Sequence, residues 1–367
     1  MSGMIIFMAY ASLSVVAAYY VWFYWSYFQL PGQNATDVSI DIIPVSVIII
    51  CKNEADNISG CIAGILQQDY PDFELIVVDD YSSDNTLEIL RKIDDKRLTV
   101  LQAIENHPGK KSALQYAISQ ANNDLLLFTD ADCIPASPHW VSSMVQRIQA
   151  KPHYEIVLGY SPMFRLPTLL NMFSRYETTI TAMQYCSYAL SGIPYMGVGR
   201  NLMYTKQLYL KSGGFEGHIG IASGDDDLFV SQSANRINTT VNTDLIGSVL
   251  TSSKGSLASF IRQKARHTTT ATHYKPLHQI LLGLYAIAQM VFYISVIVGC
   301  ISNTMSYTCG MSLVLIKWII QYLFQYNWFS KLDNKDLSIC IPLMDVLMVA
   351  YYIFLPVYKI FLPKDRW

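Results

Sequence analysis

Charge is scarce in this sequence. Asp, Glu, Lys and Arg together make up 15% of its 367 residues, where an ordinary soluble protein carries about 25%. Hydrophobic residues reach 51%, so part of the chain is built for lipid. The formal net charge of −2 supplies no basic surface for a polyanion, and nucleic acid is not an expected partner. Cysteine pairs are missing as well. Cys51, Cys61, Cys133, Cys186, Cys300, Cys309 and Cys340 are scattered with no Cys-x-x-Cys among them, a pattern of reduced packing cysteines that sets aside a zinc or disulfide framework. There is no internal repeat and no low-complexity stretch. The N-terminus lacks the basic start and small-residue cleavage site of a signal peptide, so its apolar run reads as a retained anchor.

That run, Met4 to Leu30, holds no charged side chain, and about 20 apolar residues suffice to cross a bilayer. Tyr19, Tyr20, Trp22, Phe23, Tyr24, Trp25, Tyr27 and Phe28 crowd its second half, where rings gather at a membrane–water boundary. Leu277 to Ile301 is a clean span, and Met311 to Trp328 and Leu337 to Leu362 are spans with polar interruptions. Lys317, Gln321 and Gln325 recur at helical spacing on one face, and Asp345 lies in the next apolar segment. Ionisable groups in a span face the bundle interior and pair, so Lys317 is expected to meet Asp345; the competing reading has each snorkel to an interface. Arg262, Lys264 and Arg266 mark the cytosolic side. Three full crossings after them would place Lys359, Lys364 and Arg366 outside, against the positive-inside tendency, unless Pro342 and Pro356 bend the last segment. The expected organisation is an anchor over 1–30, a cytosolic domain over 44–275 and a membrane region over 277–362, in a multi-pass protein of the cell membrane.

Between the anchor and residue 277 the pattern becomes that of an α/β domain. Val45 to Ile50, Phe73 to Val78, Leu98 to Leu101 and Leu125 to Phe128 read as buried strands. Helices are expected from Ile58 to Leu66, after an Asp84 N-cap through Leu87, Leu90 and Ile93, and from Lys110 to Gln120. The alternation implies a mostly parallel sheet covered by helices. No Gly-x-Gly-x-x-Gly follows the first strand, which removes a dinucleotide-binding dehydrogenase. Two further helices, about 166–190 and 256–273, are expected to lie in the membrane interface, in contact with its lipids.

Acids stand where such sheets bind ligands, at the carboxyl ends of strands. Asp130 and Asp132, one residue apart after the fourth strand, suit one hard divalent cation, Mg2+ or Mn2+, held against phosphates; the competing reading is a pair of solvated loop aspartates. Asp79 and Asp80 fit either a contact to a nucleobase or ribose or a simple turn. Lys110 or Lys111, after Pro108 and Gly109, suits phosphate, or both are surface lysines. Asp225, Asp226 and Asp227 repel one another, so one of them is a candidate base with a raised pKa, unless they only serve a helix N-terminus. Arg266 suits a diphosphate or a lipid headgroup.

In this order, the run Val47 to Glu54, the Val77-Val78-Asp79-Asp80 strand end, Gly109-Lys110, Asp130-Ala131-Asp132, Gly199-Arg200-Asn201, Gly224 to Asp227 and Gln263 to His267 resemble the family 2 glycosyltransferases. The resemblance is to their membrane-integrated branch, which includes cellulose, chitin, hyaluronan and poly-N-acetylglucosamine synthases and ceramide glucosyltransferases. It implies a GT-A fold and an inverting transfer of a hexose or N-acetylhexosamine from a nucleotide-sugar, UDP in first place, to a lipid or glycan acceptor at the cytosolic face. By motif, Glu54, Asp79 and Asp80 would hold the nucleoside and Lys110 would sit near base and phosphate. Asp130 would touch the nucleotide and share the metal with Asp132. Asn201 would line the donor sugar. Asp226 would be the base, with Asp225 the second choice. Gln263 and Arg266 would grip the diphosphate. His267 stands where the family has a Trp that floors the acceptor, and this puts processive synthesis in question. A processive, exporting synthase, with a channel closed by an oligomer, is the second function class, and a non-catalytic scaffold is the third.

Overall fold

A computed structural model describes residues 2–31, 41–104, 109–221 and 223–361. Pro108, Leu362, Lys364 and Arg366 lie outside them. The described residues divide into two compact units, one within Leu30–Leu166 and Tyr188–Ser253, the other within Met1–Gln29, Pro167–Ser187 and Lys254–Lys364.

The first unit is built on a seven-stranded sheet. Its strands are β1 (Val45–Cys51), β2 (Phe73–Asp79), β3 (Leu98–Gln102), β4 (Leu125–Phe128), β6 (Ile156–Gly159), β7 (Leu202–Thr205) and β8 (Thr239–Asn242), in the order β3-β2-β1-β4-β7-β6-β8. β5 (Cys133–Pro135) and β9 (Val249–Thr251) form a separate antiparallel pair. β7 alone runs against its neighbours; the remaining pairings in the large sheet are parallel. β1 is buried along its whole length, as its unbroken β-branched run requires of a strand covered on both faces. Its Val45, Val47 and Ile49 pack into a core with Leu75, Val77, Leu127, Trp140 and Met144.

Parallel register decides where the acids finish. Cys51 pairs with Asp79, and Ile48 with Phe128, so β1, β2 and β4 end on one edge and deliver Glu54, Asp79, Asp80, Asp130 and Asp132 there. One boundary differs from the sequence reading. The helix after β2 spans Thr86–Arg91 with Asn85 at its N-cap; the Asp84 carboxylate accepts from the Thr86 N–H and hydroxyl while also taking the Ala55 N–H. It therefore ties two loops together in addition to serving the helix.

The second unit is helical. Among the described residues, four helical stretches of this unit are long and apolar enough to cross a membrane: Gly3–Tyr27, Pro276–Ile301, Tyr307–Lys331 and Lys335–Tyr358. The last opens with a 3-10 turn over Lys335–Cys340, and its helix, Ile341–Phe361, carries Pro356 inside it. The helices Leu169–Leu190, for its greater part, and Leu257–His267 group with them. Aromatic groups join the first helix to the others: the Tyr19 hydroxyl donates to Leu281 O at 2.6 Å and Trp328 Nε1 to Phe23 O at 2.7 Å. Lys317 and Asp345, both buried, form an ion pair, as the sequence led one to expect. Tyr293 donates to the same carboxylate and receives Trp318 Nε1 at 2.9 Å. Gln321 Nε2 donates to the Tyr176 hydroxyl at 3.1 Å.

Candidate active site

The carboxyl edge of the sheet carries a cleft of about 320 Å³, its open mouth included, lined among others by Lys110, Asp130, Gly199, Tyr204, Asp225 and Asp226. Lys110 opens the helix Lys110–Gln120, and its ammonium lies 3.0 Å from Asp130 Oδ1 and 2.8 Å from Asp225 Oδ2. One cation thus joins an acid from the end of β4 to an acid from the loop before the helix Asp227–Ser233. Burial works against that charge, but Asp130, Asp225 and Asp226 overcome it and hold Lys110 above the ordinary lysine range.

Asp225 and Asp226 are adjacent in the chain and opposite in proton affinity. Burial raises Asp225, yet the charge and hydrogen bond of Lys110 win and keep it below the usual carboxylate range. Asp226 is pushed up to about 7 by burial, then by Asp225 and Asp227. Its carboxylate is fixed at both oxygens: Oδ2 accepts the Gly199 N–H at 2.7 Å and Oδ1 the Asp227 N–H at 2.7 Å. A Cβ added to Gly199 would stand 3.3 Å from Asp226 Oδ2, so only glycine lets backbone and carboxylate meet without displacement.

Asn201 is placed otherwise than the resemblance implied. It is fully buried. Its Nδ2 donates to Tyr160 O at 2.7 Å and Gly247 O at 2.9 Å, and its Oδ1 accepts Trp140 Nε1 at 2.9 Å. With both amide hydrogens and the carbonyl engaged inside, the side chain does not line a sugar subsite. It pins the 3-10 turn Gly199–Asn201, and that turn presents the Gly199 N–H to Asp226.

At the ends of β1 and β2, Asp79 and Asp80 are buried. Asp79 Oδ2 accepts the Ser82 N–H at 3.2 Å. Asp80 lies 3.4 Å from the Lys52 ammonium and accepts the Gly109 N–H at 3.4 Å. Glu54 Oε2 accepts Asn57 Nδ2 at 2.7 Å. Lys111 is no surface lysine. It is buried, which lowers its pKa, and it donates to His218 O at 2.6 Å and Ile221 O at 2.9 Å, steadying the segment that leads to Asp225. Two lysines in one first helical turn were the available signal, but not which way each would point. Gln263, Arg266 and His267 lie on the helix Leu257–His267 of the helical unit, Gln263 half-buried and the other two exposed.

Asp130, Asp132 and Cys133 bring their donor atoms within 4.8 Å of one another. The Cys133 thiol donates to Asp132 Oδ1 at 3.4 Å, and burial, then Asp132 and Asp130, push its pKa well up. The two carboxylates are the hard oxygen ligands of the group. That donor set fits a hard cation such as Mg2+ or Mn2+.

Residues 46–209 match the model of glycosyl transferase family 2. That stretch is similar to the family 2 glycosyltransferases. The matched stretch contains Glu54, Asp79, Asp80, Lys110, Asp130, Asp132 and Asn201, and stops short of Asp225 and Asp226. Over 126 residues the chain is 29% identical to a poly-beta-1,6-N-acetyl-D-glucosamine synthase of Staphylococcus aureus strain MSSA476, covering 34% of this chain and 30% of that one. Over 90 residues it is 31% identical to the synthase of the same description from Staphylococcus epidermidis, covering 24% and 22%. The matches therefore span less than a third of those relatives' length. Among solved structures, the mannosyltransferase PcManGT from Pyrobaculum calidifontis, in complex with GDP-Man and Mn2+, superposes with a TM-score of 0.60 at 19% identity, over 95% of this chain and 99% of that one. At that identity the likeness is one of fold, and the sheet-based unit has the GT-A fold expected from the sequence.

Proposed function

We propose that this chain transfers a hexose or N-acetylhexosamine from a nucleotide-sugar, with UDP in first place, to a hydroxyl of a lipid or glycan acceptor at the cytosolic membrane face, with inversion. The observation that carries this reading is the pair of adjacent acids in one cleft, Asp225 held ionised by Lys110 and Asp226 raised to about 7. A base that titrates near neutrality takes a proton well at working pH. Asp226 removes the acceptor hydroxyl proton, and the oxygen bonds to the anomeric carbon from the face opposite the nucleotide. The bond from that carbon to the diphosphate oxygen breaks, and the electron pair leaves with the nucleoside diphosphate. Lys110 meets the charge that grows on the leaving group. Asp130 and Asp132 would hold a divalent cation, which supplies further charge neutralisation there.

The test is a panel of radiolabelled nucleotide-sugars on the purified full-length chain, with products separated into lipid-soluble and polymeric fractions. Asp132→Asn is expected to lower turnover on the order of 100-fold or more and to weaken nucleotide binding with it. Chelation should abolish transfer, and added Mn2+ should restore it. Transfer that survives both treatments would remove the cation from the reading.

The product is expected to be one or a few sugars. A polar glycan needs a water-lined path through hydrocarbon, and one candidate span before the catalytic domain and three after it give little to build one from. His267 offers less area than a Trp for holding a growing end by stacking. Sizing the product by gel filtration after incubation with excess donor checks this; material of tens of sugars from the single component would favour the processive reading.

A further inference from the structure

Four non-glycine residues among those described have φ in the left-handed region: Asn53, Tyr81, Asn303 and Asp333. Three have the short polar side chains that tolerate it, whereas a bulky aromatic there is an outlier. Tyr81, at φ 57°, directly follows the buried Asp79 and Asp80 at the end of β2.

The surroundings hold this conformation from several sides. The Tyr81 hydroxyl donates to Ala103 O at 3.0 Å, and the Ala103 N–H donates to Asp79 O at 2.9 Å. The next residue, Ser82, donates its N–H to Asp79 Oδ2 and accepts the Asn53 N–H at 2.9 Å. Ser83 donates its N–H to Asn53 Oδ1 at 2.7 Å. Backbone and phenol are thus tied at opposite ends, and the ring is set between the carboxyl ends of β2 and β3. Burial of the ring does not explain the arrangement, because 38% of Tyr81 is exposed, while glycine at this position would meet the same φ without strain. Unfavourable backbone retained at a binding edge is a recurring mark of function.

We infer that Tyr81 is the platform for the nucleobase of the donor, stacking a planar heteroaromatic ring at the strand end that carries Asp79 and Asp80. The inference rests on the donor-site reading above. A ring anchored at both ends loses little freedom on binding, and stacking on it tolerates any base because every base has a π-face. Tyr81 thereby contributes affinity for the nucleoside, and hydrogen bonds elsewhere select which one.

The experiment is titration of UDP and GDP, each with Mn2+, into the detergent-solubilised full-length chain, with thermal denaturation in parallel. Tyr81→Gly is expected to weaken both nucleotides about tenfold while the melting temperature holds or rises. Tyr81→Asn, which keeps a residue suited to this φ, should behave alike if the glycine softens the loop. Tyr81→Phe keeps the ring and should stay within about threefold of wild type. Wild-type affinity in both the Gly and Asn variants, or an equal loss in Tyr81→Phe, overturns the assignment. Failure of the unaltered chain to bind either nucleotide would overturn the donor-site reading itself, and this assignment with it.

Discussion

Asp226→Asn is expected to lower turnover by about 10²–10⁴-fold, the usual contribution of a general base, while nucleotide affinity stays within a few-fold. Its stability relative to wild type should also depend on pH, on top of a fixed cost, because an amide can accept only one of the Gly199 and Asp227 N–H groups. The Asp226 carboxyl titrates at about 7 in the folded chain against an ordinary value of 3.8, because burial and the neighbouring Asp225 and Asp227 disfavour its charge. Folding then works against ionisation. The penalty is absent below the unfolded value, grows as pH rises from about 4 to 7, and is complete above 7. The melting temperature of Asp226→Asn minus that of wild type should rise across that window and level off above it. Wild-type turnover at limiting substrate should fall about tenfold per pH unit below 7. Near-normal turnover in Asp226→Asn would move the base role to Asp225, and a stability gap independent of pH would contradict the cause given for the shift.

Asp345→Ala is expected to be the most damaging change in the helical unit. It leaves the Lys317 ammonium buried against the rings of Phe292 and Tyr293 with no carboxylate to answer it. Breaking a buried pair by removing one partner costs about 3–5 kcal/mol, whereas replacing both partners by apolar groups of similar size is often neutral. Asp345→Ala should therefore lower the thermal stability of the solubilised chain sharply, and the Lys317→Met, Asp345→Leu double variant should recover most of the loss. The measurement is the midpoint of heat-induced loss of the monodisperse peak at fixed protein concentration. A single variant as stable as wild type, or a double variant no better than the single, would show that the pair does not hold the helices together.

The parts of this molecule that could be read in advance are those whose signal is local. β1 and β2 are seven-residue runs rich in β-branched side chains, β4 is a short unbroken apolar run, and the acids that follow all three mark the edge that carries the cleft. Lys317 and Asp345 were legible as a pair because charge inside an apolar segment has few alternatives. The strands β6, β7 and β8 are as short as β4, at four residues each, but no paired acids such as Asp130 and Asp132 follow them to mark a strand end, and β7 runs antiparallel among parallel neighbours. The roles of Asn201 and Lys111 were not legible for another reason. Their partners, Tyr160, Gly247 and Trp140 for the one and His218 and Ile221 for the other, lie tens of residues away, and a polar side chain at a motif position looks the same whether it faces a ligand or a backbone carbonyl.

Asn201 bears on how sequence variation in this protein should be interpreted. Asn201→Ala would strand two carbonyl groups and an indole N–H in the interior, each at about 1–3 kcal/mol, and would loosen the turn that aims Asp226. In a screen that scores activity alone, this position would rank with the acids of the cleft and be taken for a substrate contact. A screen that also scores abundance would separate them: carboxylate-to-amide changes at the cleft would yield plentiful, silent protein, and changes at Asn201 would yield little protein at all.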